Sequence, residues 1–135
     1  MPKFYLKPDD KLFDEVALEW AKAIYGDEED PSTNKNQIRN FYDKILEFYD
    51  KVYVQKEEFE DVRPFLKMLK SKIEYAKGRK VAKGAFVEFI KKGVDSIQTK
   101  EDLKNYKLLF EAVIGFFIGI EYDIEYDKKN AKGSK

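Results

Sequence analysis

The chain has 135 residues, enough for one domain and short for two, with 43% hydrophobic and 39% charged residues and 26 side chains of each sign. Aromatic residues reach 16%, too many for a disordered chain, and the absence of Cys and His excludes disulfides, thiolate zinc sites, Cys nucleophiles and imidazole chemistry within the chain. The composition argues against an enzyme, and no cofactor or metal is expected. No run reaches the roughly 20 apolar residues of a membrane span, and the first fifteen residues lack the apolar stretch of a secretory signal. No membrane association and a soluble, cytoplasmic protein are expected.

The apolar spacing is helical almost throughout. A first helix is predicted over about Lys11 to Tyr25, with Leu12, Val16, Trp20 and Ile24 inward and Ala17 and Ala23 beside them; Asp9 or Asp10 caps it and Gly26 ends it. The acidic run Asp27 to Asp30, closed by Pro31, reads as a solvated loop. The second helix, about Lys35 to Val54, has Ser32, Thr33 and Asn34 as candidate caps, Gln37 at the capping-box position, and a stripe of Ile38, Phe41, Ile45, Phe48 and Val52. Tyr42, Tyr49 and Tyr53 are expected at the rim with their hydroxyls wet.

The third helix is predicted over about Val62 to Lys77, capped by Asp61, with Pro64 in its first turn and Phe65, Leu66, Leu69, Ile73 and Ala76 facing the core. Gly78 is expected to end it in the left-handed conformation. The fourth, about Lys83 to Ile97, buries Phe86, Phe89 or Ile90, Val94 and Ile97, and Gly93 weakens it. The fifth, about Lys100 to Tyr122, has Thr99 and Asp102 as a capping box and is apolar around most of its girth, which marks it as the central helix or a contact between copies. These elements predict an all-α fold, a compact bundle of about five helices in one domain over 1–135, with 1–10 and 127–135 as flexible ends.

The neutral sum hides an asymmetry: residues 63–92 carry ten basic side chains against Glu74 and Glu88, while residues 1–30 carry four basic and nine acidic. One basic block in a neutral chain reads as a local anion-binding surface. At about 100° per residue, Lys72 and Arg79 share one edge of the third helix with Tyr75 between them, a mixture that suits a nucleic-acid backbone. Arg63, Lys67, Lys70 and Lys77 fall on the edge across the apolar face, where Glu74 is expected to pair with Lys70. The turn that follows sets Arg79, Lys80 and Lys83 between Gly78 and Gly84, which brings cations and backbone N–H groups close to a phosphate, although no P-loop pattern is present. Glu121, Asp123, Glu125 and Asp127 read as solvated charge, and Phe41, Phe48, Phe65, Phe86, Phe110 and Phe117 read as core.

Four segments, in this order and spacing, resemble a known family: Asn36-Gln37-Ile38-Arg39-Asn40-Phe41-Tyr42, Pro64-Phe65-Leu66-Lys67-Met68-Leu69-Lys70, Lys72-Ile73-Glu74-Tyr75-Ala76-Lys77-Gly78-Arg79 and Leu109-Phe110-Glu111-Ala112-Val113-Ile114-Gly115-Phe116. The chain resembles the small subunit of type III-A CRISPR effector (Csm) complexes over about residues 33–118. The resemblance implies a non-catalytic helical subunit of an antiviral ribonucleoprotein. Copies of it stack beside the backbone and large subunits and hold the CRISPR RNA and target RNA by their phosphates without reading sequence. Matched to that family, Arg39, Lys72 and Arg79 are the implied RNA contacts. Lys77, Lys80 and Lys83 join them on local charge, and Lys67 and Lys70 lie within the match on the other edge. The rival reading is a helical protein–protein adaptor with no RNA contact.

Overall fold

The computed structural model describes residues 1–26 and 33–133. Asp9 starts the first helical segment: its Oδ1 accepts the N–H groups of Lys11 and Leu12 at 3.0 and 2.8 Å, so Asp9 is the cap rather than Asp10. The Val16 N–H then reaches Lys11 O, five residues back, at 3.0 Å, which makes Leu12–Val16 a π-helical turn leading into α1, Ala17–Tyr25. Gly26 ends α1 with φ 74°. Leu12, Val16, Trp20 and Ile24 are buried; Ala21, at i, i+4 from Ala17, takes the inward place expected of Ala23. The acidic run and the Ser32 cap lie outside the described residues.

Part of the segment before α1 packs against the bundle. Leu6 is buried, Phe4 makes edge contacts with Trp20 and Phe89, and the Trp20 Nε1–H donates to Lys3 O at 2.8 Å. A buried indole N–H needs an acceptor, and this backbone carbonyl supplies it.

Asn34 caps α2, Lys35–Tyr53, by accepting the Asn36 N–H at 2.8 Å. Thr33 instead joins distant segments: its Oγ1 accepts the Lys83 N–H at 2.9 Å, and the Asn34 N–H donates to Val81 O at 3.2 Å. The expected third helix forms as two, α3 (Phe59–Lys67) and α4 (Leu69–Gly78). At Met68 the ladder slips to a Met68 N–H bond to Phe65 O at 3.2 Å, and the Ser71 hydroxyl donates to Met68 O at 3.0 Å, a back-bond that bends helices.

Burial of Phe59, three residues before Val62, pulls the helix start upstream of Asp61 and leaves Pro64 inside α3. The buried face of α3 is Phe59, Val62 and Leu66; Phe65 lies one step round the helix and is 60% exposed, so its expected place in the core is not taken. Gly78 is the last residue of α4, and the left-handed residue after it is Lys80, φ 65°, not Gly78.

In α5, Gly84–Ser96, the residues Phe86, Phe89, Ile90 and Val94 are buried, as is Ile97 just beyond. The capping box of α6, Lys100–Gly133, forms as expected: the Asp102 N–H donates to Thr99 Oγ1 at 3.1 Å and Asp102 Oδ2 accepts the Thr99 N–H at 3.2 Å. α6 packs against both α1 and α2, and α5 against α4 and α1, so α6 is the central helix of an all-α bundle. It runs past the expected end at Tyr122, which puts Asp123, Glu125 and Asp127 on the helix together with Glu121. No helix among the described residues is long and apolar enough to cross a membrane.

Candidate nucleic-acid interface

The edge of α4 that carries Lys72, Tyr75 and Arg79 faces α2 across an open groove of about 370 Å³. Phe41, Leu69 and Ala76, all buried core residues, form its apolar floor, and Gln37, Asn40 and Lys44 of α2 stand on the opposite side. The Phe41 ring is fixed by an edge contact with Phe86, centroids 5.8 Å apart. Tyr75 is 68% exposed, and the Arg79 guanidinium lies over its ring, 5.7 Å from the centroid. Neither Lys72 nor Arg79 has an ion-pair partner among the described residues.

On the other edge most cations are paired. Lys70 pairs with Asp95 of α5 at 2.7 Å, not with Glu74 as expected. Glu74 instead pairs with Lys77 at 3.1 Å and with Lys91 of α5. The Lys91 and Lys77 ammonium groups hydrogen-bond the Glu74 carboxyl and hold it below its ordinary pKa of 4.5, against the opposing effect of desolvation. Arg63 hydrogen-bonds Gln98 and sits 3.9 Å from Glu60. The Lys70–Asp95, Glu74–Lys91 and Arg63–Gln98 contacts staple α3 and α4 to α5 and its end, so these side chains serve the fold. Lys67 lies on it half-buried, with no ion pair among the described residues.

In the turn between α4 and α5, Lys80 is exposed and Lys83 half-buried, and neither side chain has an acidic partner among the described residues. The Lys83 backbone is held by Thr33, which fixes the turn against the start of α2. Arg39 is exposed, but it lines a different groove of about 260 Å³ between α2 and α6, with Tyr42, Glu111, Phe117 and Ile118. Burial and the Glu111 carboxylate push the Tyr42 hydroxyl pKa well up, so this second groove holds a neutral phenol beside an acid.

Of the candidate residues, the structure brings together Lys72 and Arg79, sets Lys80 and Lys83 in the adjoining turn, removes Lys70 and Lys77 into ion pairs, and places Arg39 on another surface. Sequence reasoning missed Gln37, Asn40 and Lys44 as partners of the α4 edge. For Gln37 and Asn40 the signal lay in the segment Asn36 to Tyr42, but Lys44 lies beyond it, and which face of α2 meets α4 is a tertiary fact. No cluster of acidic side chains among the described residues is arranged to hold a metal ion.

The fold and this surface define an all-helical domain with a one-sided cationic groove. The family model described as Csm2 Type III-A matches residues 7–118, and the chain belongs to that family, the small structural subunit of the type III-A CRISPR Csm complex. The match begins within the packed segment ahead of α1, well before the resemblance at residue 33. No curated protein and no solved structure matches the chain.

Proposed function

We propose that this subunit holds single-stranded RNA in the Csm complex by its phosphates, through Lys72 and Arg79 and the adjoining Lys80 and Lys83, without sequence preference and without catalysing a reaction. The observation that carries the reading is that Lys72 and Arg79 line a groove without an ion-pair partner among the described residues, while Lys70 and Lys77 on the opposite edge are paired. Cations on phosphates fix position and read no bases. CRISPR RNA, target RNA, the other Csm subunits and further copies of this chain are the partners that fit.

The test is the salt dependence of RNA binding. Each neutralised phosphate of a single strand contributes about 0.7 to the slope of log affinity against log salt. Changing Lys72 and Arg79 to Ala flattens that slope by roughly 1.4 and weakens binding at low salt. Changing Lys128 and Lys129, exposed near the end of α6, removes the same charge and leaves the slope nearly unchanged. The Lys70→Ala, Lys77→Ala pair also has little effect on it, because Asp95 and Glu74 already neutralise those ammonium groups. If all three pairs act alike, net charge explains the binding and a defined site does not exist. Equal affinity for unrelated sequences of one length is the second expectation, and a protein that ignores RNA at moderate salt is an adaptor.

A further inference from the structure

A surface that only gripped phosphates would need cations and backbone N–H groups, yet the groove between α2 and α4 has an apolar floor of Phe41, Leu69 and Ala76 and an exposed phenol, Tyr75, beside it. The two carboxamides that face it, Gln37 and Asn40, have no hydrogen-bond partner among the described residues. Its volume of about 370 Å³ lies at the lower end of the roughly 300–1,000 Å³ typical of small-ligand clefts. An occupant must therefore be small, flat or apolar on its faces, polar at its edge, and joined to negative charge.

We propose that this groove takes one unstacked base of a single-stranded RNA, stacked on Tyr75, with its edge on the Gln37 and Asn40 carboxamides and its flanking phosphates on Lys72 and Arg79. The inference rests on the RNA-binding reading above and adds a subsite to it. Arg79 serves twice, since its guanidinium lies over the Tyr75 ring and restrains it. The subsite accepts any base: aromatic stacking is sequence-tolerant, and a carboxamide offers a donor and an acceptor to whichever edge it meets. Charge favours RNA over a protein partner, because the two free cations flank the apolar floor on the α4 side, where a hydrophobic side chain from another subunit would leave them without counter-charge.

The experiment compares binding of the full chain to an oligouridine and to an oligomer of the same length whose central nucleotides are abasic. The abasic strand, with the same phosphates, binds at least about fivefold more weakly, on the scale of one base–aromatic stack. Tyr75→Ala removes that difference and keeps the salt slope; Tyr75→Phe keeps both, which isolates the ring from the hydroxyl. A 2-aminopurine placed centrally in the strand is quenched by the wild-type chain and not by Tyr75→Ala. If the wild-type chain binds neither strand, the RNA-binding reading itself fails. If it binds both equally, with the slope still sensitive to Lys72 and Arg79, the backbone reading stands and the base subsite is overturned. Loss of Csm-subunit capture by Tyr75→Ala with RNA discrimination intact likewise overturns it, and assigns the groove to a protein.

Discussion

Gly93 and Tyr106 show how tightly single residues fix the core. Tyr106 is fully buried, and its hydroxyl donates to Phe89 O at 3.0 Å, the bond that makes burial of a phenol tolerable. Burial drives its pKa far up, so it stays a donor at any ordinary pH. A Cβ at position 93 would overlap the Tyr106 ring, and the ring cannot swing away without breaking that hydrogen bond and its contacts with Phe89 and Phe110. The glycine that weakens the sequence case for α5 is thus required by a neighbour on α6. Gly93→Ala is expected to destabilise the chain by about 1–3 kcal/mol through overpacking, read as a lower urea midpoint with an unchanged slope. An unchanged midpoint would mean that Tyr106 has another place to go. Phe65 teaches the opposite lesson, since an aromatic on the approximate period of the core is left in solvent because Phe59 and Leu66 already fill the face of α3.

Between elements, the joints are side-chain hydrogen bonds that link residues far apart in sequence. Lys83, at the N-cap of α5, has no capping side chain of its own; Thr33, buried and 50 residues away, accepts its N–H. Thr33→Val keeps the shape and removes the acceptor, so it is expected to cost about 1–3 kcal/mol, the penalty of an unsatisfied buried donor, with Thr33→Ser costing less. The Glu74–Lys91 pair joins α4 to α5, the Glu74–Lys77 pair lies within α4, and together they set an acid-side dependence. The folded pKa of Glu74 is depressed, so its stabilising effect is present above the ordinary value of 4.5 and is lost as pH falls through the lower folded value. Melting temperatures from pH 7 down to pH 3 should fall less steeply for Glu74→Gln than for the wild-type chain; parallel curves would show the pair to be immaterial. Local signals made much of this level legible in the sequence. Asn34 and the Thr99–Asp102 box mark the starts of α2 and α6, and the i, i+4 rows of α1, α2 and α5 mark their buried faces. The break at Met68 was not legible, because residues 66–69 carry no Gly or Pro to mark it and the Ser71 back-bond to Met68 O is seen only in the structure. Nor was the Thr33 joint, since a local rule reads Thr33 as a helix cap. In the candidate site, the Lys72–Tyr75–Arg79 edge follows from helical spacing alone, whereas the fate of Lys70 and Lys77 depends on where α5 puts Asp95 and Lys91.

For the whole molecule, the arrangement of charge and apolar surface separates two ends. The cationic groove and turn lie on α2, α4 and the start of α5, while α6 continues past the bundle as a helix with no buried residue after Phe117 up to Ala131. At 1.5 Å per residue its 34 residues span roughly 50 Å, well beyond the about 30 Å diameter of a small domain. Ile118, at the rim of the α2–α6 groove, and Tyr122 and Tyr126 beyond it recur at i, i+4 and i+8, exposed by 42%, 64% and 53%, and the two tyrosine rings stack 6.1 Å apart at 18°. An apolar row that no element of the same chain covers is a surface for association, and a closed two-fold pairing is the commonest way for identical chains to cover it. The isolated protein is therefore expected to self-associate at micromolar concentration or above, as a dimer. Ile118→Glu with Tyr122→Glu should shift sedimentation equilibrium to monomer without lowering the melting temperature, because neither side chain belongs to the core. The same double variant should keep the salt slope of RNA binding, since the overhang shares no residue with the α2–α4 groove. A wild-type chain that remains monomeric at high concentration would mean that the row is reserved for a different subunit of the Csm complex.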